Sequence, residues 1–330
     1  ADGSQLRRYS TAPRHPGWSL GLTARLHSSD PVLASFAEEI GDVGPVAVQG
    51  NQTRWNLGGP LLDGTPVVSA PSGIVDYIAE EMVVVVRAGT SVAELHETLA
   101  ASGQWTALPE RGGTVGGAVV VGENDYRRPA RGDLRSSVLQ VRYVSAEGLQ
   151  VAGGGPTVKN VSGFDLPRLI TGSLGTLGCL SEVILRTNPI PSTTRWLRST
   201  DADPFAVHAA LLAPGAVLWD GATTTVMLYG HEVAVDADVA LLARLGTFET
   251  CPDPGTPEGH RWSLKPSDLT TIDRHDLGTF MAEVGIGTVH AERPQPPTPL
   301  QPGVRIVHDR MKLEFDPTWR LNPGRVVGVR

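Results

Sequence analysis

The sequence predicts a two-domain α+β protein, and three observations lead there. Its 330 residues suit about two domains of the usual size. Short strand-like and helix-like segments alternate quickly from residue 31 to residue 99. The prolines of Asn188-Pro-Ile-Pro191 then break both kinds of pattern, and two strand–helix–strand halves follow. The boundary is placed there, giving domains of residues 1–190 and 191–330.

In the first domain, Pro31 to Glu39 reads as an amphipathic helix with Val32, Leu33 and Phe36 inward. Pro45 to Gln49 is a short buried strand, and the polar turn from Gly50 to Trp55 follows. Met82 to Arg87 is a second strand. The clearest helix comes next: Ser91 and Glu94 form a capping box, Val92, Leu95 and Leu99 share one face, and Gly103 ends it. Leu139 to Ser145, Leu149 to Val151 and Leu180 to Thr187 are further strands. In the second domain, Trp196 to Arg198, Val217 to Trp219, Thr223 to Tyr229 and His260 to Leu264 read as strands. Helices are expected from Asp203 to Leu212 and from Asp236 to Leu245, and this order fits a ferredoxin-like sheet with two helices on one face. Residues 291–303 carry five prolines and are expected to be an extended loop.

Composition excludes several functions. Lys and Arg total 28 against 35 Asp and Glu, a net charge of −7 that disfavours a nucleic-acid or anionic-membrane partner. The two cysteines, Cys179 and Cys251, are too few to hold an iron–sulfur cluster, which takes four ligands. They also suit a reducing compartment. No apolar run approaches the roughly 18 residues of a membrane span, and Arg7-Arg8 is not followed by the apolar region of an export signal. A cytoplasmic location is expected, with no membrane insertion. The chain begins at Ala1 without Met, which leaves room for residues upstream.

Glycine clusters are the main candidates for a site. Consecutive backbone N–H groups unshielded by Cβ atoms can wrap a diphosphate without any lysine. Gly50 to Thr53 and Gly112 to Gly117 are suited to this, but taken alone tight turns or close packing are the plainer explanation of them. Neither run is a GxGxxG between strand and helix, and there is no GxxxxGK[ST], so Rossmann and P-loop folds are unsupported.

Five motifs in order are more specific than any one of them: Thr114-Val-Gly-Gly-Ala, Ser145-Ala-Glu-Gly148, Gly154 through Leu166, Gly172-Ser-Leu-Gly-Thr-Leu-Gly178, and Glu182-Val-Ile-Leu-Arg186. Together they resemble the PCMH-type FAD-binding domain of the vanillyl-alcohol-oxidase family, most nearly the FAD-binding subunits of glycolate oxidases. The tail Phe315-Asp-Pro-Thr-Trp-Arg-Leu-Asn-Pro-Gly-Arg325 resembles that family's terminal segment. The likeness is dense over residues 40–190, thin over 191–290 and good again over 310–325.

The resemblance implies a PCMH-type FAD domain followed by a smaller cap. It implies that Gly50, Asn51, Gln52 and Thr53 form a first diphosphate loop, and that Gly112, Gly113, Thr114, Val115, Gly116 and Gly117 form a second. It places Asn160, Gly163, Phe164 and Asp165 in a deeper part of the FAD cavity. Gly175, Thr176 and Gly178 would lie near the adenine, and Asn322 would return from the tail to support the flavin. Asn51 and Gln52 stand where relatives have glycines. Relatives with covalent flavin carry a histidine in the first loop; none stands here, so FAD is expected to be non-covalent. The implied activity is oxidation of glycolate or a similar 2-hydroxy acid. The implied assembly is a hetero-oligomer with a second flavoprotein subunit and an iron–sulfur subunit. An accessory FAD subunit without turnover, a stand-alone oxidase of an alcohol or sugar, and a flavin-free scaffold remain open at this stage.

Such chemistry needs a base for the hydroxyl proton and a cation for the carboxylate. No residue stands out as the catalytic one. Lys159 is the lysine nearest the expected flavin loop, or a partner of a surface acid. His290 follows a glycine-rich stretch resembling one that carries a metal-binding histidine in related dehydrogenases, yet its companions are not evident, so a structural role is expected and no metal. Arg274, His275 and Lys312 read as weak candidates. Trp219, Trp262 and Trp319 read as core or edge aromatics. The segment from Gly122 to Asp133, rich in arginines and acids, reads as a solvated surface loop, or as a contact for a partner or an FAD phosphate.

Overall fold

The computed structural model describes residues 24–25, 30–155, 165–296 and 300–327. An antiparallel six-stranded sheet organises the first half, in the order Ala24–Arg25, Gln150–Gly154, Val138–Val144, Cys179–Arg186, Val83–Arg87 and Ile74–Ile78. Cys179–Arg186 is buried at every position but the last, because helices cover both of its faces. Leu180, Val183 and Leu185 join the larger core with Leu95, Leu99 and Val119, while Cys179 packs with Phe36 and Ile40. Burial pushes the Cys179 thiol up to about 12, which makes it an inert core group.

Each covering helix has a local cause. Asp30 Oδ1 accepts the Val32 N–H at 2.9 Å and Pro31 opens the helix Pro31–Ile40. Leu33, Phe36 and Ile40 face inward; Val32, expected to do so, is 45% exposed because the 33–36–40 stripe lies beside it. Ser91 Oγ accepts from Glu94 N at 3.1 Å to start the helix Val92–Ala100, whose Leu95 and Leu99 are fully buried. Each of these leucines contributes roughly 2 kcal/mol by burial. The glycine run expected as one loop is only partly so. Thr114 Oγ1 accepts from Gly117 N at 3.2 Å and caps a helix Val115–Val121, which ends at Gly122 with φ 69°.

The second half holds the expected strand–helix–strand repeat. Thr193–Ser199, the helix Pro204–Ala210, Ala216–Trp219, Thr224–Gly230, the helix Glu232–Leu242 and Glu249–Thr250 follow in sequence. Their strands lie fourth-first-third-second, the ferredoxin-like order, all antiparallel. The sheet is larger than expected: Phe280–Glu283, Thr288–Ala291 and His260–Ser263 extend it to seven strands. The helix expected from Asp236 begins earlier, at Glu232. Val207, Leu211, Val235 and Leu242 pack the two helices on one face. On the other face Trp196, Leu218, Met227 and Met281 receive Tyr126, with Trp105 and Ala130 beside it, so the first half docks there.

A C-terminal helix, Pro302–Phe315, was not anticipated from the sequence; it fully buries none of its residues, although Phe315 at its end packs against the larger core. The chain then returns to the first half. Leu321 is fully buried beside Phe36 and Ile40 and bridges Val46 in parallel. Among the expected aromatics Trp262 is buried and Trp219 packs edge-on to Phe205 and Phe280, but Trp319 is 53% exposed with Lys312 over its ring.

Candidate functional site

The strand Ala47–Gln49 pairs in parallel with Val67–Ser69 and delivers the turn from Gly50 to Arg54. Gln52 adopts a left-handed backbone, φ 56°. The N–H groups of Gly50, Asn51, Gln52, Thr53 and Arg54 have no acceptor among the described residues. Five successive free donors in a turn with one left-handed residue suit an oxyanion. A Cβ on Gly50 would collide with the Thr114 side chain, so glycine there lets the two expected loops touch.

The second glycine run is different, and the expectation for it needs correction. Val115 N donates to Thr90 O at 2.9 Å, Gly116 N to Ala88 O at 2.7 Å, and Gly117 N to Thr114 Oγ1. Those three N–H groups are engaged by the protein; only Gly112, Gly113 and Thr114 keep free ones among the described residues. Val115 is fully buried, and a Cβ on Gly116 would sit 2.7 Å from Ala88 Cβ and 2.9 Å from its carbonyl oxygen. Gly116 is therefore a close-packing glycine. Gly117 borders free space, its nearest neighbour there being Thr114 Oγ1 at 3.2 Å.

An open cavity of about 90 Å³ joins these pieces. Of the expected residues, Gly50, Asn51, Gln52, Thr53, Thr114, Gly117 and Asn322 line it. Arg54, Trp55, Leu174 and Arg325 also line it and were missed. Asn322, with φ 45°, accepts from Val48 N at 3.2 Å and donates to Leu174 O at 2.9 Å, so it ties the first strand to the Leu174 loop. The Arg325 guanidinium lies 5.2 Å from the Trp55 ring centre and donates to Leu57 O at 2.7 Å. Among the described residues, the charged side chains on the lining are Arg54 and Arg325 alone.

Other expected residues lie elsewhere. Gly175 and Thr176 form the loop on which the tail docks: the Gly175 backbone is crowded by Asn322 Nδ2, and Thr176 O accepts from Lys312 Nζ at 2.8 Å. The missing side chain of Gly178 makes room for the Tyr143 ring. Asp165 is exposed and caps the helix Leu166–Ile170, accepting from Arg168 N at 3.1 Å. Lys159, Asn160, Gly163 and Phe164 fall outside the described residues.

The segment from Gly122 to Asp133 is not a solvated loop. Glu123, Asp125, Tyr126 and Arg131 are each under 5% exposed. Glu123 accepts from Arg54 Nε and Arg111 Nη1, both at 2.5 Å. Arg127 donates to Asp125 at 2.8 Å, to Glu110 at 2.9 Å and to Asp253 at 3.2 Å, and Tyr126 Oη donates to Asp253. Arg131 donates to Glu110 at 2.6 Å and stacks 4.7 Å from the Trp105 ring centre. Asp253 belongs to the second half, so this cluster links the halves.

The same cluster sets a pH dependence. The His96 hydrogen bond and the Arg131 and Arg127 charges hold the Glu110 carboxyl well below its ordinary range. Burial works to raise Glu123 and Asp125, but their arginines outweigh it and both end below the ordinary values of 4.5 and 3.8. Lowered carboxyl values contribute stability that is fully present above the unfolded values and is lost as pH falls through the folded ones. The melting temperature is expected to hold from pH 7 to about 5 and to drop below about 4.5, read by circular dichroism. A profile that stays level down to pH 3 would contradict this assignment.

His290 is buried on the strand Thr288–Ala291 and its Nε2 lies 3.1 Å from Glu283 Oε1. The companion that the sequence did not reveal is thus Glu283 on the neighbouring strand, and neither residue lines the cavity. Arg274 donates to Gly221 O and stacks on Trp219, which accounts for it structurally.

A glycine-shaped cavity with free amides, two arginines and no acid defines a site for an anionic ligand. The chain matches the family described as FAD binding domain over residues 37–153, and that segment is an FAD-binding domain. It is 35% identical to "Glycolate oxidase subunit GlcE" of Escherichia coli K12 over 174 residues, 52% of this chain and 50% of that protein. It is 34% identical over 113 residues to "D-lactate dehydrogenase [cytochrome], mitochondrial" of Arabidopsis thaliana, 34% of this chain and 20% of that one. The match thus spans half or less of these relatives' length. The solved structure of alkyldihydroxyacetonephosphate synthase superposes with a TM-score of 0.66 at 14% identity, over 90% of this chain and 75% of that chain, which establishes the shared fold. The residues present fit FAD: the free amides from Gly50 to Arg54 suit its diphosphate, and the space beside Gly117 would be filled by any Cβ substituent. Among the described residues no helix is long and apolar enough to cross a membrane.

Proposed function

We propose that this chain is an FAD-dependent oxidoreductase subunit that oxidises glycolate or a similar 2-hydroxy acid, with FAD held non-covalently. The observation that carries the reading is the run of five unpaired backbone donors, Gly50 to Arg54, on a cavity closed by Thr114, Gly117 and Asn322. The likeness to a glycolate oxidase subunit supports the substrate class and an assembly with a second flavoprotein subunit and an iron–sulfur subunit. FAD, when bound, accepts the hydride from the substrate carbon that bears the hydroxyl. The chain's part is to bind and orient. Backbone amides take the diphosphate, Asn322 fixes the first strand against the Leu174 loop, and the tail closes the cavity.

A second reading is an accessory FAD subunit whose partner performs turnover. One observation favours it: no His, Asp, Glu or Lys is found among the described residues that line the cavity, so no proton acceptor stands there. The experiment uses the purified chain, then the chain co-expressed with its partners. Absorption near ~450 nm and release of FAD by acid without proteolysis test the non-covalent flavin. Anaerobic bleaching by glycolate with the chain alone supports the first reading; bleaching only with partners supports the second; a colourless protein overturns both.

The glycine assignments give a paired prediction. Gly117→Val projects a branched side chain into the cavity and is expected to reduce FAD retention more than tenfold, with the melting temperature changed little. Gly116→Val is expected to cost about 1–3 kcal/mol of stability through overpacking against Ala88. FAD content per chain and thermal melting read the two effects. A folded Gly117→Val protein with a full complement of FAD would remove the helix Val115–Val121 from the site.

A further inference from the structure

Arg54 is held in an arrangement that the fold does not complete. Its Nε donates to Glu123 Oε2 at 2.5 Å, and its Nη1 donates to Thr53 Oγ1 at 3.0 Å and Gly112 O at 3.1 Å. Nη2 is buried and has no hydrogen-bond partner among the described residues, on a side chain only 9% exposed. A guanidinium has five N–H donors, so two are left over in a place where water does not reach them freely. Buried charged donors without partners are costly, and their persistence calls for an acceptor from outside the chain.

Charge points the same way. Glu123 is shared between Arg54 and Arg111, so one carboxylate faces two guanidinium groups and a positive charge remains. Arg111 has solvent access, with its side chain 26% exposed, while Arg54 lines the cavity directly after the four residues of the amide turn. Resting on the proposal that the cavity binds FAD, we propose that Arg54 is the ionic contact for the FAD diphosphate, with Nη2 donating to one of its anionic oxygens. Glu123 and the Gly112 carbonyl fix the plane of the guanidinium, and the amides from Gly50 to Arg54 complete the shell. An arginine pre-oriented in this way loses little freedom on binding.

The test uses full-length apoprotein stripped of flavin and titrated with FAD and with ADP, which shares the diphosphate but not the flavin ring. In Arg54→Met, both affinities are expected to fall 10- to 100-fold at low salt, and the FAD gap from wild type is expected to narrow as salt rises, because a charge has been removed. Melting of the apoproteins checks folding; Glu123 keeps Arg111 in this variant. Arg54→Lys keeps the charge but not the fork, and is expected to lose less affinity while keeping the wild-type salt dependence. A folded Arg54→Met protein with wild-type ADP affinity, or with an FAD loss that is the same at every salt concentration, overturns the proposal and leaves Arg54 as a strut between two loops. If Arg54→Met does not fold, Arg54→Lys decides: unchanged FAD and ADP affinities overturn the proposal. Failure of wild type itself to bind FAD overturns the underlying reading instead, and is seen before any variant is made.

Discussion

Arg127→Met is expected to lower the unfolding free energy by about 3–5 kcal/mol, the usual result of stripping one partner from a buried ion pair. Asp125 has a side chain 1% exposed and receives three bonds from Arg127, through the backbone N, Nε and Nη2. The substitution removes the Nε and Nη2 bonds and leaves Asp125 with two backbone donors, the N–H groups of residues 127 and 110, and with Arg131 at 3.8 Å. Asp253 also loses one of its two side-chain contacts to the first half and keeps Tyr126. For a chain of this size the melting temperature should fall by roughly 4–7 °C. Arg127→Lys is expected to recover little, since one ammonium cannot serve Asp125, Glu110 and Asp253 at once. A loss below about 1 kcal/mol in urea unfolding would mean that the cluster stays hydrated in solution.

Arg320→Met should have an effect of similar size by a different route. Arg320 is 4% exposed and donates to five backbone carbonyls: Ile40 at 2.6 Å, Gly44 at 2.7 Å, Gly41 at 3.1 Å, and Ala146 and Val43 at 3.2 Å. Methionine leaves these acceptors without a donor, and hydrogen bonds to a charged group are worth about 1.5–3 kcal/mol each, far from additively. A total loss of about 3–5 kcal/mol is expected. The tail should also detach locally, carrying Asn322 off the cavity. Limited proteolysis should then cut near residue 320 at protease levels that spare the wild type, and FAD content should fall in parallel. Resistance of the variant to proteolysis would show that Leu321 and Asp316 hold the tail without it.

Much of this fold can be read from local pattern. Ser91, Glu94 and the 92–95–99 stripe specify one helix, and the order of strands and helices after Pro191 specifies a ferredoxin-like sheet. What escaped depends on partners distant in sequence. The charges from Glu123 to Arg131 look solvated until Asp253 is brought beside Arg127. A glycine run shows where a backbone can come close, but not which N–H groups are already engaged; the carbonyls of Ala88 and Thr90 decide that for Gly116 and Val115. Arg54 follows the amide turn in plain view, yet its significance needs Glu123 and Gly112 in space. The helix Pro302–Phe315 begins directly after a proline-rich run, which hid its start, although Val304, Val307, Met311 and Phe315 recur at helical spacing.

The hydrogen bond from Val48 to Asn322 joins residues 274 positions apart. A ribosome must therefore pass Asn322 before the pocket has its last wall. Flavin capture waits for that residue, and a product of termination upstream of it would emerge yellow only weakly or not at all.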